Sequence, residues 1–148
     1  AAYQPPPHTR PYIENLLNGL SKLCKGSIVL TGVGLTPEEL GCVCLEGQNG
    51  SARYMMEQRE KGAYHGTGDL FASALLGGLL NGLSLEAAVR PAMALVRDSI
   101  SNTRRENGNE REGVLFEPCL EAFSRRLSAG CETNVSRPAA ESSVNQGL

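Results

Sequence analysis

The chain has 148 residues, of which 41% are hydrophobic and 20% charged, the proportions of one ordinary globular domain. A formal net charge of −2 leaves no surplus of Lys and Arg to coat a nucleic acid, and no apolar run reaches the roughly 18 residues needed to span a bilayer. The five cysteines (Cys24, Cys42, Cys44, Cys119 and Cys131) are odd in number and irregularly spaced, which excludes a disulfide framework and points to a reduced, cytoplasmic protein.

Residues 1–10, with Gln4-Pro5-Pro6-Pro7, have the composition of a linker or a cut edge. Over 12–24, Ile13, Leu16, Leu17, Leu20, Leu23 and Cys24 fall on one helical face, with Pro11 suited to the first turn and Gly26 to the stop. The short apolar, β-branched run 27–33 predicts a buried strand, and a helix followed by a strand is half of an α/β unit. Residues 41–59 predict a β-hairpin, with arms at 42–45 and 52–59 and a turn at Gln48-Asn49-Gly50, where Asn-Gly tolerates positive φ. Cys42 and Cys44 lie two apart on one strand face. They lack the second Cys/His pair that zinc requires, so they are expected as apolar filler.

Residues 65–71 read His65-Gly66-Thr67-Gly68-Asp69-Leu70-Phe71 and lead straight into a helical pattern that runs to Asn81. That helix is apolar on nearly every side (Phe71, Ala74, Leu75, Leu79 and Leu80 beside Gly77 and Gly78), which predicts close packing all round. Gly82 ends it. Ser84 is a good N-cap for a second helix with inward positions at Ala87, Ala88, Ala92, Leu95, Val96 and Ile100, and Pro91 is expected to bend that helix or remove one backbone bond. Residues 102–113 are polar, and Arg104, Arg105 and Arg111 alternate with Glu106, Glu110 and Glu112 as in a solvated loop. Val114-Leu115-Phe116 is a short apolar segment. Residues 118–127 predict a last helix with Leu120, Phe123 and Leu127 inward, and 128–148, poor in large apolar residues, predict a disordered tail.

The glycine motif carries the chemistry. Two glycines allow a tight turn and the close approach of a ligand. The first amides of the following helix have no helical partner, and with the helix dipole they make a site for an anion. A carboxylate at the rim of such a site makes sense if Asp69 takes a proton from a hydroxyl that attacks a phosphate. The bland alternative is a glycine turn that only joins strand to helix, with Asp69 a helix-start carboxylate. His65 is most simply an exposed loop histidine, and Thr31 is equally an ordinary strand-end residue.

Gly66-Thr67-Gly68-Asp69-Leu70-Phe71-Ala72-Ser73 resembles the C-terminal signature of the ribokinase-like (PfkB-type) small-molecule kinases, and within them the pyridoxal/pyridoxamine kinase branch. Val29-Leu30-Thr31-Gly32-Val33 resembles that family's strand ending in Thr-Gly near the nucleotide phosphates, and Leu83-Ser84-Leu85-Glu86-Ala87-Ala88 its second helix. The resemblance spans 11–127 and implies an α/β, ribokinase-like three-layer sandwich, the C-terminal half only. Members of the family are longer; their N-terminal strands, substrate-binding residues and lid have no counterpart here. The chain is therefore expected to need an N-terminal half or a partner subunit, and a lone half-sheet is expected to self-associate as a homo-oligomer.

The activity implied is transfer of a phosphoryl group from ATP, with Mg2+, to a primary alcohol, foremost the hydroxymethyl group of pyridoxal, pyridoxamine or pyridoxine. The resemblance assigns Asp69 as general base and the backbone of Gly66, Thr67, Gly68 and Asp69 as the anion hole. It places Thr31 and Gly32 at the ATP phosphates and Val114, Leu115 and Phe116 at the adenine. The family's Asn-x-x-Glu motif is missing upstream; Asn107-Gly108-Asn109-Glu110 matches its letters only, in a charged loop, so no metal ligand is assigned. A hydroxymethylpyrimidine kinase is a related alternative, although that branch usually carries Cys where this chain has Asp69. A sugar or nucleoside kinase is another. The alternative of a different kind is a non-catalytic nucleotide- or anion-binding fragment.

Overall fold

The computed structural model describes residues 4–47 and 50–135. Helix α1 (Arg10–Leu23) starts where Thr9 Oγ1 accepts from the Tyr12 amide at 3.4 Å and Pro11 occupies the first turn. The chain before it lies against the loop after the first strand: the His8 amide donates to Gly34 O at 2.6 Å, the Gly34 amide to His8 Nδ1 at 3.2 Å, and the His8 ring stacks on Tyr12.

Three strands follow, β1 (Ile28–Val33), β2 (Glu39–Leu45) and β3 (Arg53–Gln58), forming an antiparallel sheet in the order β1-β2-β3. The β2–β3 pairing runs from Glu39 opposite Gln58 to Cys44 opposite Arg53, so the hairpin of the sequence is present. Its tip, Gln48 and Asn49, lies outside the described residues. β1 pairs with β2 from Ile28 opposite Leu45, and the register slips between Thr31 and Val33. The slip centres on Gly32, whose φ of 71° is the left-handed value a bulge glycine takes.

The alternation of side chains splits the sheet into two faces. Ile28, Val33, Val43 and Leu45 pack on Ile13 and Leu17 of α1. Cys42, Cys44 and Met55 face the other way, onto Phe71 and Ala74 of α2 (Thr67–Leu80) and Val89, Ala92 and Leu95 of α3 (Leu85–Arg105). The result is three layers: α1, the sheet, and the α2/α3 pair. Gly78 lets α2 and α3 touch, since a Cβ there would lie 2.8 Å from Ala88 Cβ. α3 is capped by Ser84, whose Oγ accepts from the Ala87 amide at 3.3 Å. Pro91 is buried inside it, and the helix runs on for 21 residues without a break, at the cost of the hydrogen bond that proline cannot donate.

Four expectations are corrected. β1 is not buried throughout: Thr31 and Gly32 are exposed, because β1 is an edge strand with one neighbour among the described residues. The face of α1 is buried at Ile13 and Leu17 but not beyond: Leu20 is 37% and Leu23 86% exposed, and the sheet residues of this core pack only on the earlier turns. α2 is not enclosed: Leu76 and Leu80 are 56% and 78% exposed. The last helix, α4 (Leu120–Val135), entered through a 3-10 turn at Glu117–Cys119, continues past Leu127. A Cβ on Gly130 would sit 3.2 Å from Leu83, so its later turns still have the α2–α3 connection to rest on. The rest of the expected tail, 136–148, lies outside the described residues.

Candidate active site

Gly66 stands at the head of α2 with φ 78° and ψ −1°, and no side chain caps the helix. The Leu70 amide donates to Gly66 O at 2.9 Å, the first helical bond, so the amides of Thr67, Gly68 and Asp69 precede the helical ladder and make no backbone bond among the described residues. Thr67 Oγ1 donates to Tyr64 O at 3.3 Å, which turns the hydroxyl back onto the incoming loop. A Cβ on Gly66 or Gly68 would meet nothing within 4 Å. The protein's own packing therefore does not demand a glycine at 68; the space beside it is open.

That space belongs to a cavity of about 270 Å³ between the sheet and the α2/α3 layer, at the small end for a ligand site. Thr31 and Gly32, from the bulged end of β1, and Thr67 and Gly68, from the head of α2, line it together. Two segments some 35 positions apart in sequence thus converge on one cavity. Phe71, Met93 and Val96 form apolar wall; Glu57, Arg59, Glu60 and Arg97 supply charge. Arg97 is fixed by Glu57 at 3.1 Å and Asp98 at 3.0 Å, Asp98 also takes Arg126 at 2.8 Å, and Glu60 takes Arg104 at 3.2 Å. These ions brace β3, α3 and α4 around the cavity.

Asp69 is exposed at the head of α2, and its carboxylate has neither an ion pair nor a hydrogen bond among the described residues. It is available to a ligand. His65 is exposed, as expected for a loop histidine. Val114, Leu115 and Phe116 do not line this cavity. The Leu115 amide donates to Thr103 Oγ1 at 2.8 Å and Asn102 Nδ2 donates to Leu115 O at 3.2 Å, which straps the segment to the end of α3. The residue before it, Gly113, passes beside the motif: a Cβ there would lie 3.4 Å from His65 O.

The motif reading passed over the cavity's walls, yet their signals are present. Met93, Val96, Arg97 and Ile100 follow the i, i+3, i+4, i+7 spacing of one helix face, and Glu57 and Arg59 continue the alternation of Met55. Among the described residues, no group of three or more His, Cys, Asp or Glu is placed to hold a metal ion, and no helix is long and apolar enough to cross a membrane.

A family model described as phosphomethylpyrimidine kinase matches residues 3–113. Among solved structures, a pyridoxal kinase from Lactobacillus plantarum is similar at 28% identity and a TM-score of 0.60, over 67% of this chain and 35% of that one. A candidate phosphomethylpyrimidine kinase from Bacteroides thetaiotaomicron, in an orthorhombic form with pyridoxal, is similar at 25% identity and 0.67, over 79% and 42%. A pyridoxal kinase from Entamoeba histolytica, at 17% identity and 0.68 over 80% and 41%, shares the fold. The chain thus spans less than half the length of the solved structures it matches. The sequence matches none of the curated proteins searched.

Proposed function

The chain belongs to the phosphomethylpyrimidine kinase family, and from that premise we propose that it carries the phosphate-binding part of an ATP-dependent kinase acting on a hydroxymethyl group, with pyridoxal or a close relative as the acceptor. One observation carries the reading: the uncapped, open head of α2 and the glycine bulge of β1 line the same cavity. Free amides and a helix dipole at one end of a sheltered cleft stabilise negative charge without reorganising during the reaction. The amides of Thr67, Gly68 and Asp69 hold the transferring group, Gly66 sets their direction, and Thr31 and Gly32 meet the rest of the phosphate chain. Asp69, unpaired and exposed at the head of α2 next to Gly68 though not itself among the residues lining the cavity, accepts the proton of the attacking hydroxyl. Mg·ATP, when bound, would supply the phosphoryl group that these residues hold and orient. The choice of pyridoxal rests on the similarity to the Lactobacillus plantarum kinase and to the Bacteroides structure with pyridoxal.

The outward stripe of α2 runs from Asp69 through Ala72, Ser73 and Leu76 to Leu80, all exposed. Beside the 35–42% share of the solved structures' length that this chain spans, the stripe is read as the face against which the remainder of the kinase domain packs. Self-association through the same leucines is the expected behaviour of this chain by itself. The second reading, a nucleotide-binding piece without turnover of its own, is favoured by a cavity lined by Thr31, Gly32, Thr67 and Gly68 but not by Asp69.

The test is phosphoryl transfer by the purified chain with Mg·ATP, offering pyridoxal, hydroxymethylpyrimidine and a hexose in parallel. Preference for pyridoxal supports the proposal. ATP binding without transfer to any alcohol supports the second reading, and absence of both binding and transfer contradicts the site.

A further inference from the structure

We propose that Arg59 is the cation that receives the nucleotide's phosphate chain at this cavity, a role that rests on the nucleotide reading above. Its position follows from the strand. Met55 points into the core beneath α2 and α3, and Glu57 reaches Arg97 of α3. By the two-residue alternation, position 59 belongs to that same face. The Arg59 amide donates to Glu38 O at 2.7 Å, which extends the β2–β3 ladder one step beyond Gln58 and holds the residue in strand register. Arg59 lines the cavity with Thr31, Gly32, Thr67 and Gly68.

The charges around the cavity single it out. Glu57 and Arg97 satisfy each other, Arg97 shares Asp98 with Arg126, and Glu60 is taken by Arg104. Of the four charged residues lining the cavity, Arg59 is the one without an ion pair among the described residues. The remaining electropositive groups are neutral amides, which offer only partial charge. A triphosphate brings several full charges, and a guanidinium meets phosphate oxygens with two parallel hydrogen bonds. Since Arg59 holds the ladder through its backbone, replacing its side chain leaves the sheet intact.

The experiment is equilibrium binding of Mg·ATP and of AMP to the full chain and to Arg59→Ala, Arg59→Lys and, as the control, Lys61→Ala, an exposed cation two positions on that does not line the cavity, with a thermal melt of each to confirm folding. Arg59→Ala is expected to weaken ATP roughly tenfold, the worth of one charge-assisted contact, and AMP less than about twofold. Arg59→Lys recovers part of the loss, and the ATP affinity of Arg59→Ala becomes less sensitive to salt. Unchanged ATP binding in Arg59→Ala, an equal loss for ATP and AMP, or a loss confined to Lys61→Ala would each overturn the assignment while leaving the nucleotide site standing. Failure of the unaltered chain to bind ATP would remove the nucleotide reading and this assignment with it.

Discussion

Gly68→Ala separates a glycine kept for a ligand from a glycine kept for the fold. Gly68 lies in the first turn of α2 without a positive φ, and a methyl group there would meet no protein atom within 4 Å. Alanine is better than glycine in a helix interior by about 1 kcal/mol, and about half of that applies in a first turn. For a chain of this size such a gain raises Tm by about 1–3 °C. The same methyl group would stand in the cavity where the phosphate must approach the backbone, so ATP affinity should fall at least roughly tenfold, about 1.4 kcal/mol. Gly66→Ala is the contrast: at φ 78° a Cβ costs about 1–2 kcal/mol, and Tm should fall by about 3–6 °C. Differential scanning calorimetry and nucleotide titration on the two variants read both effects. If Gly68→Ala were destabilised, or bound ATP as the unaltered chain does, the cradle would be in the wrong place.

Two neighbouring glycines of α2 should part company in the same way. Gly77→Ala adds a methyl to open space and should stabilise by up to about 1 kcal/mol, whereas Gly78→Ala drives one against Ala88 and should cost about 1–2 kcal/mol net in urea unfolding. Cys24 is exposed, but Cys42 and Cys44 are buried, and the hydrogen-bonded Cys44 thiol together with burial pushes the Cys42 thiol up; iodoacetamide should label Cys24 in the native protein and the pair only on unfolding, read by mass spectrometry. Hydrogen bonds from Arg90 and Arg53 hold the Glu86 carboxyl below the usual range. The folded state therefore binds that proton less readily than the unfolded one, and its stabilisation, complete above the ordinary glutamate value of 4.5, is lost as pH falls below it. Glu86→Gln should show a smaller drop in Tm on acidification than the unaltered chain, and an equal drop would contradict the assignment.

The local grammar of the chain was legible where single residues punctuate it. Gly66, Ser84 and Gly82 mark turn, cap and stop, and the structure uses Gly66 and Ser84 at the helix starts as expected. The hairpin with arms at 42–45 and 52–59 followed from two strand-like runs flanking the turn Gln48-Asn49-Gly50, and the structure pairs Glu39–Cys44 with Arg53–Gln58. Burial was harder to read, because an apolar pattern states what a surface could pack against and not what is there. Leu79 and Leu80 of α2 and Leu23 of α1 read as core and are exposed. Val114, Leu115 and Phe116 sit in sequence after a polar loop, and only the hydrogen bonds to Thr103 and Asn102 show where that loop delivers them. The meeting of Thr31-Gly32 with Thr67-Gly68 came from resemblance rather than periodicity; the bulge that turns Gly32 toward the cavity depends on a register that no local pattern encodes.

The central claim is that Asp69 acts on a hydroxyl while the head of α2 holds phosphate. It is tested most directly by Asp69→Asn, measured for ATP binding and for phosphoryl transfer to pyridoxal with Mg·ATP. Loss of the base removes roughly 10²–10⁴-fold of rate while the backbone cradle stays, so transfer should fall by that factor with ATP affinity within about threefold of the unaltered chain. Transfer that persists at the unaltered rate, or transfer and ATP binding lost together, would contradict the account and make Asp69 a residue of the fold.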